Sequence, residues 1–183
     1  MRQSYVRNTV LASMFLALGL LLPFATGQIP TIGNMLLPMH LPIILCGMIS
    51  GRRWGIVVGF TTPLLRSLLF SVPAIYPNAV AMAVELACYA LVMGALYHKA
   101  KRQSVGRVYF ALIVAMILGR AVWGVMMWLL MGLSHQAYTW AAFVSSAFVR
   151  AVPGILLQLV LIPFVALLLH RTHVLPFRRE AQN

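Results

Sequence analysis

The chain has 183 residues and a formal net charge of +12, with fourteen Lys and Arg against two acids. Hydrophobic residues make up 62% of it and charged residues only 9%, whereas a soluble domain is about 45–50% apolar and about 25% charged. A soluble nucleic-acid binder is therefore excluded despite the basic balance, because too few polar residues exist to cover a water-facing surface.

With a bilayer as solvent, a helical span needs about 20 mostly apolar residues. Turn residues and charges divide the chain into six such runs. The first is 8–25, closed by Gly27 and Pro30. No A-x-A-like cleavage site follows it, so it reads as a retained span and not as a signal peptide. The second, 35–50, is short and contains Pro38 and Pro42, so irregular backbone is expected at its start. The third is 54–70 and the fourth 76–97. The fifth is 108–133. The sixth, 138–169, exceeds one span; it is expected to run along the interface at one end or to be interrupted at Pro153 or Pro163. The expected fold is a single all-α integral membrane domain, 1–183, a six-transmembrane-helix bundle.

Charge placement orients the bundle. Arg2, Arg7, Arg52, Arg53, Lys99, Lys101, Arg102, Arg107, Arg171, Arg178 and Arg179 all fall at alternate loops and at the ends, hence on one side. The loops near 26–34, 71–75 and 134–137 contain no Lys, Arg, Asp or Glu. Basic loops stay inside, so both termini are expected to be cytoplasmic.

Three bases remain within the runs, Arg66, Arg120 and Arg150, together with one acid, Glu85. A charge near the bilayer centre costs at least ~2.5–3.5 kcal/mol on insertion scales, so each needs a partner or a purpose. Glu85, Arg120 and Arg150 lie at comparable depths. Glu85 can neutralise one Arg, which leaves a positive excess able to attract an anionic group. The alternative for the extra Arg side chains is to cap carbonyls freed by Pro63, Pro73 or Pro153.

The charge-free outer loops offer neutral hydrogen-bonding groups, among them Gln28, Asn34, Tyr76 and Asn78. His40 either bonds carbonyls freed by Pro38 and Pro42 or approaches a ligand. Trp123 and Trp128 are placed to stack on a flat ligand or to fill the core, and Tyr138 and Trp140 to anchor at the interface. Ser13 and Ala17, Gly47 and Gly51, and Gly55 and Gly59 have the small-x-x-x-small spacing of close helix contacts.

The chemistry the chain lacks is equally telling. Glu85 and Glu180 are its only acids, so neither paired-carboxylate catalysis nor a carboxylate-rich Mg²⁺ or Ca²⁺ site can be built from the runs. Lys99 and Lys101 lack the Gly before and the Ser or Thr after that a P-loop requires. Cys46 and Cys88 sit in apolar runs and read as small core residues. An enzyme is not expected, and no cofactor is expected in the chain itself.

Four stretches carry a family resemblance. They are Leu-Pro-Phe-Ala-Thr-Gly-Gln-Ile-Pro at 22–30, Leu-Leu-Pro-Met-His-Leu-Pro-Ile-Ile-Leu-Cys-Gly at 36–47, Gly-Phe-Thr-Thr-Pro-Leu-Leu-Arg-Ser-Leu-Leu-Phe at 59–70, and Tyr-Pro-Asn-Ala-Val-Ala-Met-Ala-Val-Glu-Leu-Ala at 76–87. Together with the six-run pattern, they resemble the substrate-binding S components of energy-coupling factor (ECF) vitamin transporters. The resemblance covers most of residues 8–133; the last run matches mainly in hydropathy. It implies partners, namely a transmembrane coupling subunit and two cytoplasmic ATPases, with ATP consumed by those subunits. Ser13-x-x-x-Ala17 stands where members often carry Ala-x-x-x-Ala to meet the coupling subunit, a departure of one residue. Within the family, the Leu-Pro-Met-His stretch looks most like the cobalamin-type members, with pantothenate-type members second.

Overall fold

A computed structural model describes residues 2–25, 37–99, 104–134, 139, 145 and 151–171. Among them are six α-helices and no strands: α1 (Arg2–Ala25), α2 (His40–Ile49), α3 (Arg52–Phe70), α4 (Val80–His98), α5 (Val105–Leu133) and α6 (Val152–Arg171). A short π-helical turn, Ile75–Ala79, leads into α4. Four segments are long and apolar enough to cross a membrane: Tyr5–Ala25, Ile75–His98, Val105–Leu133 and Val152–Arg171. The α2 helix is apolar but shorter, and α3 carries Arg52, Arg53 and Arg66.

Each helix corresponds to one of the six runs, with ends moved by local chemistry. α1 begins earlier than its apolar run, at Arg2. α2 begins only at His40. Leu37 has a positive φ of 51°, and the His40 amide closes a turn on the Leu37 carbonyl at 3.0 Å. The stretch around Pro38 is thus irregular backbone, as its prolines predicted. α6 starts beside Pro153, which fits a first helical turn because its missing N–H has no partner to lose there. It then runs through Pro163 without ending. α5 is capped by Ser104, whose hydroxyl accepts from the Arg107 amide.

The core is built around α4, which packs against α2, α3 and α5; α1 lies across α2 and α3, and α6 lies mainly on α5. Glycine permits the closest of these approaches. A Cβ at Gly47 would sit 2.5 Å from the Ala90 carbonyl oxygen, and one at Gly59 2.7 Å from that of Leu86. At Gly55 it would meet the Gly47 Cα at 2.7 Å, and at Gly94 the Gly47 carbonyl at 2.7 Å. Gly47, Gly55, Gly59 and Gly94 therefore form a seam where three backbones touch, the arrangement that small-x-x-x-small spacing allows. Gly51 has a different role. Its φ of 88° and ψ of 167° make the turn between α2 and α3, a conformation essentially reserved for glycine.

The outside of the bundle is apolar. Val10, Leu21, Leu68, Ile117, Trp128, Val160 and Phe164 are all exposed. In water such a surface would aggregate, whereas hydrocarbon covers it at no cost.

The seam makes a direct prediction. Gly47→Ala forces a side chain into main-chain atoms that cannot yield, and overpacking of this kind costs about 1–3 kcal/mol. Thermal unfolding of the detergent-solubilised protein should shift down clearly for Gly47→Ala. Gly132→Ala, where nothing lies within 4 Å, should leave it unchanged. Equal behaviour of the two variants contradicts the seam.

Candidate functional site

A buried polar cluster lies where α2, α4 and α5 meet. Glu85 projects from α4, Arg120 from α5, and His40 from the first residue of α2; all three are buried. The Arg120 Nη1 lies 3.1 Å from Glu85 Oε1. The His40 Nε2 lies 3.6 Å from the same oxygen, beyond hydrogen-bond length. The structure thus pairs Arg120 with Glu85. Arg150 lies outside the described residues, as do Gln28 and Asn34.

One further residue frames the cluster, and another buried polar group lies on α6. Tyr89 is one helical turn after Glu85 on the same face and meets the His40 ring edge-on, with centroids 5.3 Å apart and planes at 82°. Its hydroxyl reaches the Met116 carbonyl at 3.5 Å. The phenol ring can lie there because position 119 is glycine: a Cβ would be 2.5 Å from the ring. Gln158 on α6 is buried, and neither of its amide atoms has a hydrogen-bond partner among the described residues. The sequence reading singled out neither residue; the i, i+4 spacing to Glu85 is the signal that finds Tyr89. Gln158, a lone amide in an apolar run, emitted the same signal as a buried charge, only weaker.

The cluster is neutralised in charge but unsatisfied in hydrogen bonding. Among the described residues, both ring nitrogens of His40, and Nε and Nη2 of Arg120, lack hydrogen-bond partners; Glu85 Oε1 is close to its neighbours without an aligned bond. Buried polar groups are normally paired, so a set of orphan donors in one place calls for an explanation such as a ligand or water. Each ring nitrogen and each guanidinium N–H offers hydrogen bonding to a polar ligand group. Among the described residues no group of three His, Cys, Asp or Glu is placed to hold a metal ion.

Arg66 behaves differently. Its Nη1 donates to the Leu20 carbonyl at 2.8 Å, and its guanidinium lies 5.1 Å and 5.6 Å from the Phe24 and Phe70 ring centroids. Those rings meet edge-on at 4.9 Å. Leu20 follows Gly19, whose carbonyl is the one left without an intrahelical donor by Pro23. Arg66 therefore caps main chain and stacks between two aromatics, joining α1 to α3; the capped carbonyl belongs to α1 and not to the turns of Pro63, Pro73 or Pro153.

Tyr76 and Asn78 are exposed in the turn before α4. The Tyr76 hydroxyl bonds the Leu130 carbonyl and accepts from Ser134 Oγ at 2.8 Å, fastening the start of α4 to the end of α5. Ser67 Oγ donates to the Pro73 carbonyl at 2.5 Å and closes the α3–α4 connection. Trp123 is half-buried, three residues after Arg120 on α5. Ser13 and Ala17 are exposed on α1, near Val10, Met14 and Leu21, which are exposed as well.

The ion pair yields a testable consequence. Removing one partner of a buried pair leaves the other charge uncompensated, at ~3–5 kcal/mol, while replacing both with apolar or neutral groups is often nearly neutral. Glu85→Gln and Arg120→Met should each lower the melting temperature strongly. The double variant should be more stable than either single one, and additive losses in this cycle would contradict the pairing.

Comparison with known proteins places the chain. The family model for the ECF transporter, substrate-specific component, matches residues 7–166. Neither the curated proteins nor the solved structures gave a match. The match takes in all of α2 to α5 and the greater part of α1 and α6, including every member of the buried cluster. The chain is therefore an integral membrane protein of the ECF transporter substrate-specific component family.

Proposed function

We propose that the chain captures a vitamin at the outer face of a bacterial cell membrane and delivers it inward. It works with a transmembrane coupling subunit and two cytoplasmic ATPases, which consume the ATP. In this reading all six helices span or enter the bilayer, and both termini are cytoplasmic. The eleven bases outside the runs support that orientation by the positive-inside rule.

The observation that carries the reading is the cluster of orphan donors around Glu85 and Arg120. His40 stands at the start of a helix that begins well inside its apolar run, so irregular backbone around Leu37 and Pro38 lies beside those side chains. Interrupted helices of this kind place ligand sites within membrane bundles. Arg120 and His40 then meet a polar or anionic part of the ligand, and Trp123 supplies an aromatic face. Gln28, Asn34, Tyr76 and Asn78 contribute neutral contacts from the outer loops. Arg150 adds a second positive charge. Arg66, tied to Leu20, serves chiefly to hold α1 on α3. Ser13 and Ala17 form the small-residue surface for the coupling subunit.

The best substrate is a cobalamin or another corrinoid. The Leu-Pro-Met-His stretch favours it, and a positive centre suits the corrinoid phosphodiester. Pantothenate is the second reading, since its carboxylate fits the same charge. A self-sufficient carrier is a third, which requires no ATPase partners.

Purified protein titrated with a panel of vitamins separates these readings. Cobalamin should bind, and the Glu85→Gln/Arg120→Met double variant should lose that binding. A folded Arg66→Met variant should retain it at lower yield. Binding of pantothenate without any corrinoid overturns the substrate assignment. Uptake by vesicles that lack the coupling subunit and ATPases overturns the family mechanism in favour of a carrier.

A further inference from the structure

A second polar site lies at the opposite, basic end of the bundle. It is a hollow lined by Asn8 of α1, by Ser50, Gly51, Arg52, Arg53 and Trp54 at the α2–α3 turn, and by the end of α4 from Gly94 to Lys99. The hollow exists because Gly94 draws α4 against the turn, its hypothetical Cβ 2.8 Å from the Arg52 amide nitrogen. Gly51 leaves space there; a Cβ at that position would meet only His98 Nε2, at 4.0 Å.

Three independent features point to an anion. Among the described residues, the lining contains Arg52, Arg53 and Lys99 and no acid. α3 starts at Arg52 with no side-chain cap. Its first intrahelical bond runs from the Gly55 amide to the Gly51 carbonyl at 3.0 Å. The earlier amides of that turn point back along the axis toward the hollow, at the positive end of the helix dipole. Finally, Ser50 is 6% exposed and its hydroxyl has no hydrogen-bond partner among the described residues, with the weakly polar Cys46 thiol beside it. The Asn8 side-chain oxygen is buried and has no partner among the described residues either; turning the amide over presents its N–H₂ instead. A buried hydroxyl, an amide and an uncapped helix start beside three bases make a set of donors that an oxyanion satisfies.

We propose that this hollow binds a phosphate group, of the kind carried by an anionic phospholipid headgroup. Trp54 favours a lipid source. It is half-buried at the rim, with Tyr5 edge-on at 5.2 Å, the aromatic pairing expected at headgroup depth. Basic pockets between helices at the cytoplasmic surface suit such headgroups. The site stands apart from the transport reading, and only its leaflet rests on the orientation proposed above.

The test uses the full chain in mild detergent. Native mass spectrometry should show phosphatidylglycerol retained in preference to phosphatidylcholine, and phosphatidylglycerol should raise the melting temperature. Arg52→Gln/Lys99→Gln should weaken retention about thirtyfold, from two bases near the surface. Ser50→Ala, which alters no charge, should weaken it about threefold to tenfold through its lost hydrogen bond. Arg107→Gln, at a base that does not line the hollow, should change nothing. Inorganic phosphate forms the second arm: stabilisation by phosphate but not by phosphatidylglycerol, lost in the same variants, keeps the phosphate site and moves its source to solution. Equal weakening by Arg107→Gln, or no effect of Ser50→Ala, reduces the attraction to diffuse charge and overturns the proposal. Vitamin binding measured on the same variants should be unaffected, which keeps this outcome separate from that of the outer site.

Discussion

A single carboxylate buried among apolar helices constrains much of this structure. Glu85 is 1% exposed, and a charge so placed needs a partner in fixed geometry. Arg120 supplies it from α5, which sets the register of α4 against α5. Gly119 follows from that register, because Tyr89, one turn beyond Glu85, lies over it. The His40 ring meets both Tyr89 and Glu85, so the start of α2 is placed by the same centre. On the other side of α4, the glycine seam brings α2 and α3 close enough for this geometry to hold. Charge pairing on one face and backbone contact on the other hold α4 in the middle of the bundle.

The same arrangement leaves something unfinished. The pair cancels charge but uses only part of the hydrogen-bonding capacity of Arg120 and none of that of His40 among the described residues. A purely structural ion pair would gain most from saturating those groups. Donors left open in a buried interior are suited to a ligand that completes them. In the proposed reading, the open donors deep in the core serve the transported molecule, and the basic hollow beside Trp54 serves the membrane surface.

Much of this was legible in the residues. Prolines, glycines and charges marked the six helices of the described residues, and Pro38 foretold the irregular entry to α2. The cost of burying charge singled out Glu85 and Arg120 before any contact was seen. It could not choose between Arg120 and Arg150, because residue counting resolves depth only to a few residues. Arg66 was less legible. Its partners are a carbonyl 46 residues away and two aromatic rings, and neither a carbonyl nor an aromatic ring advertises a cation partner in sequence. Gly55 and Gly59 read correctly as packing positions, whereas Gly51 shares their spacing but serves a turn, a distinction that only φ makes. Ser50 and Gln158 were overlooked because a neutral polar residue carries no insertion penalty large enough to stand out.

The scarcity of acids makes the central claim unusually accessible to spectroscopy. With no Asp and only Glu85 and Glu180 in the chain, carbon-13 labelling of glutamate gives two side-chain carboxyl signals. The account predicts that the Glu85 signal at neutral pH has the shift of an ionised carboxylate, is shielded from solvent probes, and moves when Arg120 is replaced by Met. A protonated Glu85 carboxyl, or a signal indifferent to Arg120, would contradict a buried ion pair as the organising centre of the bundle.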